Sequence, residues 1–206
     1  MIDSSAAPPT IIDTYTAGSA PYDCCLVEND TILLVTNSGD DTVSVLDASS
    51  GAVITTPLNT GANPRGLATS EAYTVVCNYD SGTVSIIENA NMVPDPPQVL
   101  VGSNPVAAAI DEKTSFAYVT NYGSDTVSVV NLKTQVVSDT IDVGNTVIVS
   151  VGDTGPYGII LSPDGYDLYM TCKTASRLAI ISLTDLSVST YFTVGTGPVD
   201  LTILSK

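Results

Sequence analysis

AYVTNYGSDTVSVVN, from Ala117 to Asn131, is the most informative segment of this sequence. Apolar and polar residues alternate on both sides of a Gly-Ser-Asp turn, and Val and Thr are frequent, which is typical of two short strands in a hairpin. Three stretches repeat this layout: LLVTNSGDDTVSVLD at 33–47, TVVCNYDSGTVSIIE at 74–88 and the degraded LYMTCKTASRLAIIS at 168–182. The chain therefore carries four copies of one β-rich unit.

A Gly-x-x-Pro element precedes each copy. It occurs at Gly18–Pro21, Gly61–Pro64, Gly102–Pro105 and Gly195–Pro198, and in a longer form at Gly152–Pro156. Its prolines lie 43, 41, 51 and 42 residues apart. Each unit reads as four strands: one after the proline, two around the turn, and a fourth of the Val136–Val143 type. A period near 42 residues with four strands per unit predicts an all-β fold, a β-propeller.

The repeat also resembles a known family. With Gly102-Ser-Asn-Pro105 before it, the 117–131 stretch resembles the repeat of the YVTN β-propeller family, and Ser162-Pro-Asp-Gly165 resembles that family's turn between its first two strands. The resemblance runs from about Thr10 to Leu204. It implies a cell-surface or secreted repeat protein, often part of a surface layer or of a larger adhesive chain.

The repeats divide the 206 residues into an N-terminal tail, 1–9, and a propeller, 10–206. Four full repeats span about 18–60, 61–101, 102–151 and 152–194, which leaves one strand over at each end, 10–17 and 198–205. Three outcomes remain open: a piece of a longer propeller, a small four- or five-bladed ring, or a ring completed by strands of a neighbouring chain. Unpaired strand edges invite pairing, so the candidate assembly residues are Ile11, Ile12, Leu201 and Ile203.

The 51-residue spacing locates an insertion at Asn145–Gly152. Val147, Val149 and Val151 alternate there with Thr, Ile and Ser, and the segment carries no charge. One interpretation is a longer outer strand or hairpin packed on its own blade. The other is an edge strand that pairs with a partner chain, which makes these three valines further candidate assembly residues.

Charge excludes some partners. The chain has 6 Lys and Arg against 22 Asp and Glu, a formal net charge of −16, so we expect neither nucleic acid nor an anionic membrane surface as a partner. No apolar run reaches the length of about 20 residues that spans a bilayer, and Met1–Thr10 has no signal-peptide pattern. The expected location, extracellular or cell surface, rests on the resemblance.

Catalysis is not expected from this composition. The chain has no histidine, which removes the commonest general base and metal ligand. Its only Glu residues fall at turns or strand ends, at Glu28, Glu71, Glu88 and Glu112, and no Ser-Lys pair stands out. We therefore expect no enzyme and no cofactor.

Aspartate supplies the one candidate metal chemistry. Many Asp residues fall in turns, where the carboxylate bonds nearby backbone N–H groups. Calcium is the alternative, with Asp23, Asp40 and Asp41 as loose candidates, because calcium takes several oxygen ligands. No Asp-x-Asp-x-Asp-Gly loop is present.

The four cysteines occupy ordinary strand positions. Cys77 replaces the Thr of the repeat and Cys172 replaces its Asn, while Cys24 and Cys25 are adjacent and point to opposite faces of a strand. We expect buried small side chains. A disulfide from Cys24 or Cys25 to Cys77 remains open.

The residue after each proline enters the innermost strand of its blade, which lines the central channel. Tyr22, Arg65 and Tyr157 are candidate ligand-binding residues at the channel mouth, because aromatic and Arg side chains dominate binding hot spots. They could instead only fill the mouth. Asn29-Asp30-Thr31 is a glycosylation sequon in a predicted turn, relevant if the chain is secreted.

These patterns favour binding over catalysis. The predicted function is a non-enzymatic binding or structural role, outside the cell, in adhesion, a surface layer or filament assembly. The alternatives are a scaffold subunit of a larger complex and a carbohydrate-binding module, since tyrosines stack on sugar rings. Protein partners or self-association are expected, with carbohydrate as the alternative ligand.

Overall fold

The computed structural model describes residues 2–3, 10–11, 13–93, 95–144 and 154–203. Every regular element in these ranges is a β-strand, as predicted. No helix that could cross a membrane occurs among the described residues.

The strands form four antiparallel sheets, here called blades 1 to 4. A separate short ladder pairs β1 (Ile2–Asp3) with β2 (Thr10–Ile11). Blade 1 holds β3 (Pro21–Val27), β4 (Ile32–Asn37), β5 (Thr42–Asp47) and β6 (Leu58–Asn59). Blade 2 holds β7 (Pro64–Thr69), β8 (Tyr73–Asn78), β9 (Thr83–Glu88) and β10 (Gln98–Leu100). Blade 3 holds β11 (Pro105–Asp111), β12 (Phe116–Asn121), β13 (Thr126–Asn131) and β14 (Val136–Asp142). Blade 4 holds β15 (Pro156–Leu161), β16 (Asp167–Cys172), β17 (Arg177–Ser182) and β18 (Ser187–Thr193).

In blades 1 and 3 the Asn of the repeat fastens the loop that enters the blade. In blade 3 the buried Asn121 accepts the backbone N–H of Gly102 at 3.1 Å and donates to Thr126 at 3.0 Å and Ser128 at 2.9 Å. Asn37 holds Gly18 in blade 1 in the same way, at 2.9 Å. A buried amide is stable only when its donors and acceptor are used, so this motif is structural.

The Thr of the repeat supports the first strand. Each innermost strand shifts register just after its proline, which frees a backbone N–H. The hydroxyl of Thr120 accepts the N–H of Ala107 at 3.2 Å, and Thr36 and Thr171 accept the corresponding groups of Asp23 and Gly158 at 3.0 and 2.8 Å. Blade 2 has Cys77 at this position.

The core lies between blades rather than under a single sheet. Val75 and Val76 are neighbours on β8, and both are completely buried, Val75 against blade 3 and Val76 against blade 1. A third cluster joins blades 3 and 4, including Val127 and Met170. The middle strands of blades 2 and 3 are therefore apolar on both faces, because each of these two blades is covered on two sides.

The two ends differ from the predicted leftover strands. Within 10–17, only Thr10–Ile11 forms a strand, and residues 13–17 and 198–203 form none. A strand needs a hydrogen-bonded neighbour, and in the described residues neither segment has one in a blade. Even so, a Cβ added to Gly158 would lie 2.8 Å from the carbonyl oxygen of Val199. The C-terminal segment thus runs beside β15 where a fifth innermost strand would run.

The predicted insertion Asn145–Gly152, with Val147, Val149 and Val151, lies outside the described residues, as does Ile12. Its role as an outer strand or as an assembly strand stays a prediction.

Candidate functional site

Two residues of each blade reach the channel mouth. The first follows the proline of β3, β7, β11 or β15. The second follows the Asn at the end of the next strand, and its backbone N–H donates to the carbonyl of the residue before the proline, as from Tyr122 to Asn104 at 3.0 Å and from Lys173 to Gly155 at 2.8 Å. This bond fixes the two positions beside each other. They are Tyr22 and Ser38 in blade 1, Arg65 and Tyr79 in blade 2, Val106 and Tyr122 in blade 3, and Tyr157 and Lys173 in blade 4.

The three predicted binding residues come together at this mouth. The hydroxyl groups of Tyr22 and Tyr157 lie 3.1 Å apart and share a hydrogen bond, although 135 residues separate them in sequence. The guanidinium carbon of Arg65 lies 5.5 Å from the centroid of the Tyr22 ring. The prediction that these side chains bind a ligand is a separate matter and stays a prediction.

Three further side chains complete the group. The Arg65 guanidinium stacks on the Tyr79 ring at 3.4 Å, and the Lys173 ammonium lies 4.4 Å from the Tyr157 ring centroid. Tyr122 meets Tyr157 edge to face, with centroids 6.0 Å apart. Such cation–π and T-shaped contacts hold rings and cations in fixed positions. The six side chains, called the mouth cluster below, are Tyr22, Arg65, Tyr79, Tyr122, Tyr157 and Lys173.

Sequence analysis missed Tyr79, Tyr122 and Lys173. The signal was present, because all three occupy the same repeat position, directly after the Asn or its replacement. It was overlooked because this position follows the second strand of the blade, whereas the predicted residues begin the first strand. The two positions lie side by side only because the proline pairs with the Asn, as Pro105 does with Asn121.

The environment of the cluster is half-buried. Tyr22 keeps 49% of its surface exposed, and the other five members are partly buried. Burial and the hydrogen bond to Tyr157 raise the pKa of Tyr22, while the charges of Arg65 and Lys173 act to lower it. Both cations therefore act electrostatically on the phenol of Tyr22.

A cavity of about 440 Å³ extends the mouth into the channel. The innermost strands of all four blades line it, together with Val199 and Asp200 of the C-terminal segment. The second residue after each proline lines this cavity. It has a small side chain or none in blades 2 to 4, at Gly66, Ala107 and Gly158, and is Asp23 in blade 1. The cavity can receive part of a ligand whose polar end meets the mouth cluster.

The candidate calcium residues serve as hydrogen-bond acceptors. Asp23 accepts the N–H of Leu67 at 3.2 Å, Asp40 that of Ser19 at 3.0 Å, and Asp41 that of Asn63 at 2.7 Å. Among the described residues, no three acidic or cysteine side chains converge as a metal site.

The cysteines divide by position. Cys77 and Cys172 are buried, as expected, but Cys24 is exposed and Cys25 half-buried, and all four are free thiols. The expectation of burial is wrong for Cys24, because its face of blade 1 has no preceding blade against it. Burial raises the pKa of Cys25 to about 12 and that of Cys172 to about 11.

The remaining predicted positions lie on the surface. Ile11 is 73% exposed, and Asn29 is exposed in the turn between β3 and β4. Leu201 and Ile203 border a cleft against Tyr169 and Leu178 on the free face of blade 4. None of these residues contributes to the mouth cluster.

Comparison with solved structures identifies the fold. A hydrazine synthase from Kuenenia stuttgartiensis matches with a TM-score of 0.72 at 22% identity, over 88% of this chain and 52% of that one. The Cps50 (Swd1) β-propeller domain from Myceliophteria thermophila matches with a TM-score of 0.74 at 17% identity, over 91% and 59%. Virginiamycin B lyase from Staphylococcus aureus matches with 0.69 at 11%, over 86% and 57%.

The chain thus spans about half the length of the structures it matches. No family model matches it, and no curated protein matches it in sequence. The YVTN resemblance is therefore not established by these comparisons, whereas the propeller fold is.

One prediction must be corrected. Sequence analysis excluded an enzyme, yet similar propellers include a hydrazine synthase and a lyase. The exclusion was wrong because it relied on residue types within one chain, while this fold accommodates both catalytic and binding proteins. The four blades belong to a β-propeller whose fold alone does not settle its activity.

Proposed function

We propose that this β-propeller is a binding protein whose partner seats at the channel mouth. The observation that carries the proposal is the mouth cluster, to which all four blades contribute. Tyr and Arg are the residues most enriched in binding hot spots, and here cation–π contacts hold them in place before any partner arrives. Such preorganisation lowers the entropy lost on binding.

The proposed setting is the cell surface or the exterior, in adhesion or surface assembly. A net charge of −16 and an exterior rich in Ser, Thr and Asp suit a soluble, exposed surface. Exposed Cys24 offers a direct test of location. In intact cells expressing the full-length gene, a membrane-impermeant maleimide should label Cys24, whereas labelling only after lysis would contradict this setting.

The binding site itself is tested with an array of glycans and surface-protein fractions. Array spots that bind the wild-type chain should bind much less of the Tyr22→Ala/Tyr157→Ala double variant. Tyr166→Ala is the matched control, because Tyr166 is 65% exposed in a turn of blade 4 and should keep full signal. Equal retention of all three proteins would show that partners bind elsewhere. Whether glycan or protein features respond separates carbohydrate from protein partners.

Self-association is the second candidate, favoured by the free face of blade 1. Leu26 is 45% exposed there, whereas Ile110, its equivalent in blade 3, packs against the cluster between blades 2 and 3. A second copy of the chain would cover this face. Light scattering behind a sizing column should show multimers of the 21.3 kDa chain, and deleting residues 1–17 or introducing Leu26→Asp should reduce them. A monomer in all cases would exclude assembly through this face.

A further inference from the structure

The mouth cluster concentrates positive charge on an otherwise acidic protein. Only 6 Lys and Arg residues balance 22 Asp and Glu, and two of those six, Arg65 and Lys173, stand at the mouth. Neither forms an ion pair with a carboxylate in the described part of the chain. Cation–π contacts hold these two positive charges at one mouth, where they can attract an anion from outside.

The nearby carboxylates already have partners. Asp80 accepts the side-chain N–H of Asn63 at 3.0 Å, and Asp23 accepts two backbone N–H groups, from Leu67 at 3.2 Å and from Cys24 at 2.8 Å. Asp200 lines the cavity and accepts the N–H of Leu201 at 2.8 Å. None of these carboxylates forms an ion pair with Arg65 or Lys173 in the described part of the chain.

The cluster also has more hydrogen-bond donors than acceptors. A guanidinium carries five N–H groups, of which the structure uses one weakly, from Arg65 to Asn63 at 3.5 Å. An ammonium carries three, and those of Lys173 face the Tyr157 ring. Tyr22 and Tyr157 together carry two hydroxyl hydrogens, and the hydrogen bond between them uses one. The remaining hydroxyl hydrogen is therefore also available to an acceptor.

We propose that the mouth cluster binds a small organic carboxylate borne on a hydroxylated ring, with a hexuronate as its type. This inference rests on the proposed function and names its ligand class. Arg65 pairs with a planar carboxylate, Lys173 adds a second charge, and the Tyr22–Tyr157 hydroxyl pair meets ring hydroxyl groups. A polyanion is disfavoured, because its further charges would meet the 22 acidic residues of the surrounding protein.

The probes are glucuronate, glucose and acetate, which separate the carboxylate from the ring. Tyrosine fluorescence reports binding without interference, since the chain has no tryptophan and four of its ten tyrosines lie in the cluster. Calorimetry provides an independent measurement. Glucuronate should bind at least about tenfold more tightly than acetate or glucose, which corresponds to one charge-assisted contact. Its affinity should fall as NaCl is raised.

Matched variants assign the effect to the cluster. Lys173→Met and Arg65→Met should each weaken glucuronate binding about tenfold. Lys133→Met removes the same charge from an exposed turn of blade 3 and should leave binding unchanged. Circular dichroism and urea midpoints confirm that each variant is folded, and Arg65→Lys tests whether the planar fork or only the charge matters.

The outcomes separate this inference from the proposed function. Equal affinity for glucose and glucuronate would overturn the carboxylate inference and leave a neutral-ligand site at the mouth. Absence of glucuronate and acetate binding, together with mouth-dependent retention on the array, would also overturn the inference while the proposed function stands. Glucuronate binding that survives Lys173→Met and Arg65→Met would place the anion elsewhere and overturn it as well.

Discussion

Blades 3 and 4 have the same four-stranded topology but different internal chemistry. In blade 3, Asn121 binds the entering loop and both Thr126 and Ser128. In blade 4 the corresponding residues are Cys172, Arg177 and Ala179, so none of the three side-chain bonds can form. The buried thiol of Cys172 instead packs in the apolar cluster between the two blades.

The loop that enters blade 4 is held by the neighbouring blade. Asp125 of blade 3 accepts both the hydroxyl of Thr154 and the N–H of Gly155, each at 2.9 Å. Asp41 of blade 1 holds the loop of blade 2 similarly, through Asn63. In blade 4 the Asn and both of its side-chain partners are therefore replaced together. Removing only its centre would leave buried polar groups unpaired, whereas replacing centre and partners together costs little.

The largest expected effect is the loss of this centre from blade 3. Asn121→Cys leaves the N–H of Gly102 and the hydroxyls of Thr126 and Ser128 without their partner, so the free energy of unfolding should fall by about 3 kcal/mol. Urea unfolding measures it. Asn131→Ala, at the half-buried end of β13, is the control and should cost about 1 kcal/mol, because its side chain accepts only the N–H groups of Lys133 and Thr134 in the following turn. A loss below that of the control would show that the network is dispensable.

The packing between blades gives the next effect. A Cβ at Gly66 would collide with the backbone carbonyl of Val106 in blade 3, and one at Gly158 would meet that of Val199. Gly66→Ala should therefore destabilise by about 2 kcal/mol. Gly158→Ala should cost about half as much, because residues 199–203 belong to no sheet and can move aside. Equal losses in urea unfolding would show that the C-terminal segment is as firmly held as a blade.

Restoring the Asn to blade 4 tests the same rule in reverse. Cys172→Asn buries an amide beside Arg177 and Ala179, neither of which can accept its N–H groups, and should destabilise by about 1.5 kcal/mol. Adding Arg177→Thr and Ala179→Ser should recover most of that loss. If the triple variant unfolds at no higher urea concentration than Cys172→Asn alone, the three residues do not depend on one another and this explanation is wrong.

The smallest effect concerns the Thr position of blade 2. Cys77→Thr should stabilise by about 1 kcal/mol, because the hydroxyl can accept the N–H of Gly66, as Thr120 accepts that of Ala107. The same substitution should also reduce the loss of unfolding free energy at alkaline pH. Burial raises the pKa of Cys77 above its ordinary value of 9.0, so the folded state holds the proton more tightly. The free energy of unfolding therefore falls as pH rises above about 9.

Unfolding midpoints between pH 8 and 10 measure this slope. The variant should show the shallower decline, while Cys25 and Cys172 contribute the same decline to both proteins. Parallel slopes would mean that the Cys77 thiol does not ionise on unfolding in this range.

The strands, their grouping in four units and the position of the residue after each proline on an innermost strand follow from the sequence. These features are local: period-two alternation, turn residues and the fixed register between Pro105 and Asn121 repeat in every unit. A repeated motif identifies the features that the blades share, because each copy packs against its neighbours in the same way.

The differences between blades, by contrast, depend on the tertiary arrangement. The hydrogen bond between Tyr22 and Tyr157 and the stacking of Arg65 on Tyr79 depend on how blades turn around the axis, which no local pattern specifies. The same holds for the exposure of Cys24, because burial of a strand face depends on whether another blade lies against it. The binding site is formed by positions where the repeats differ, and distances between blades bring them together.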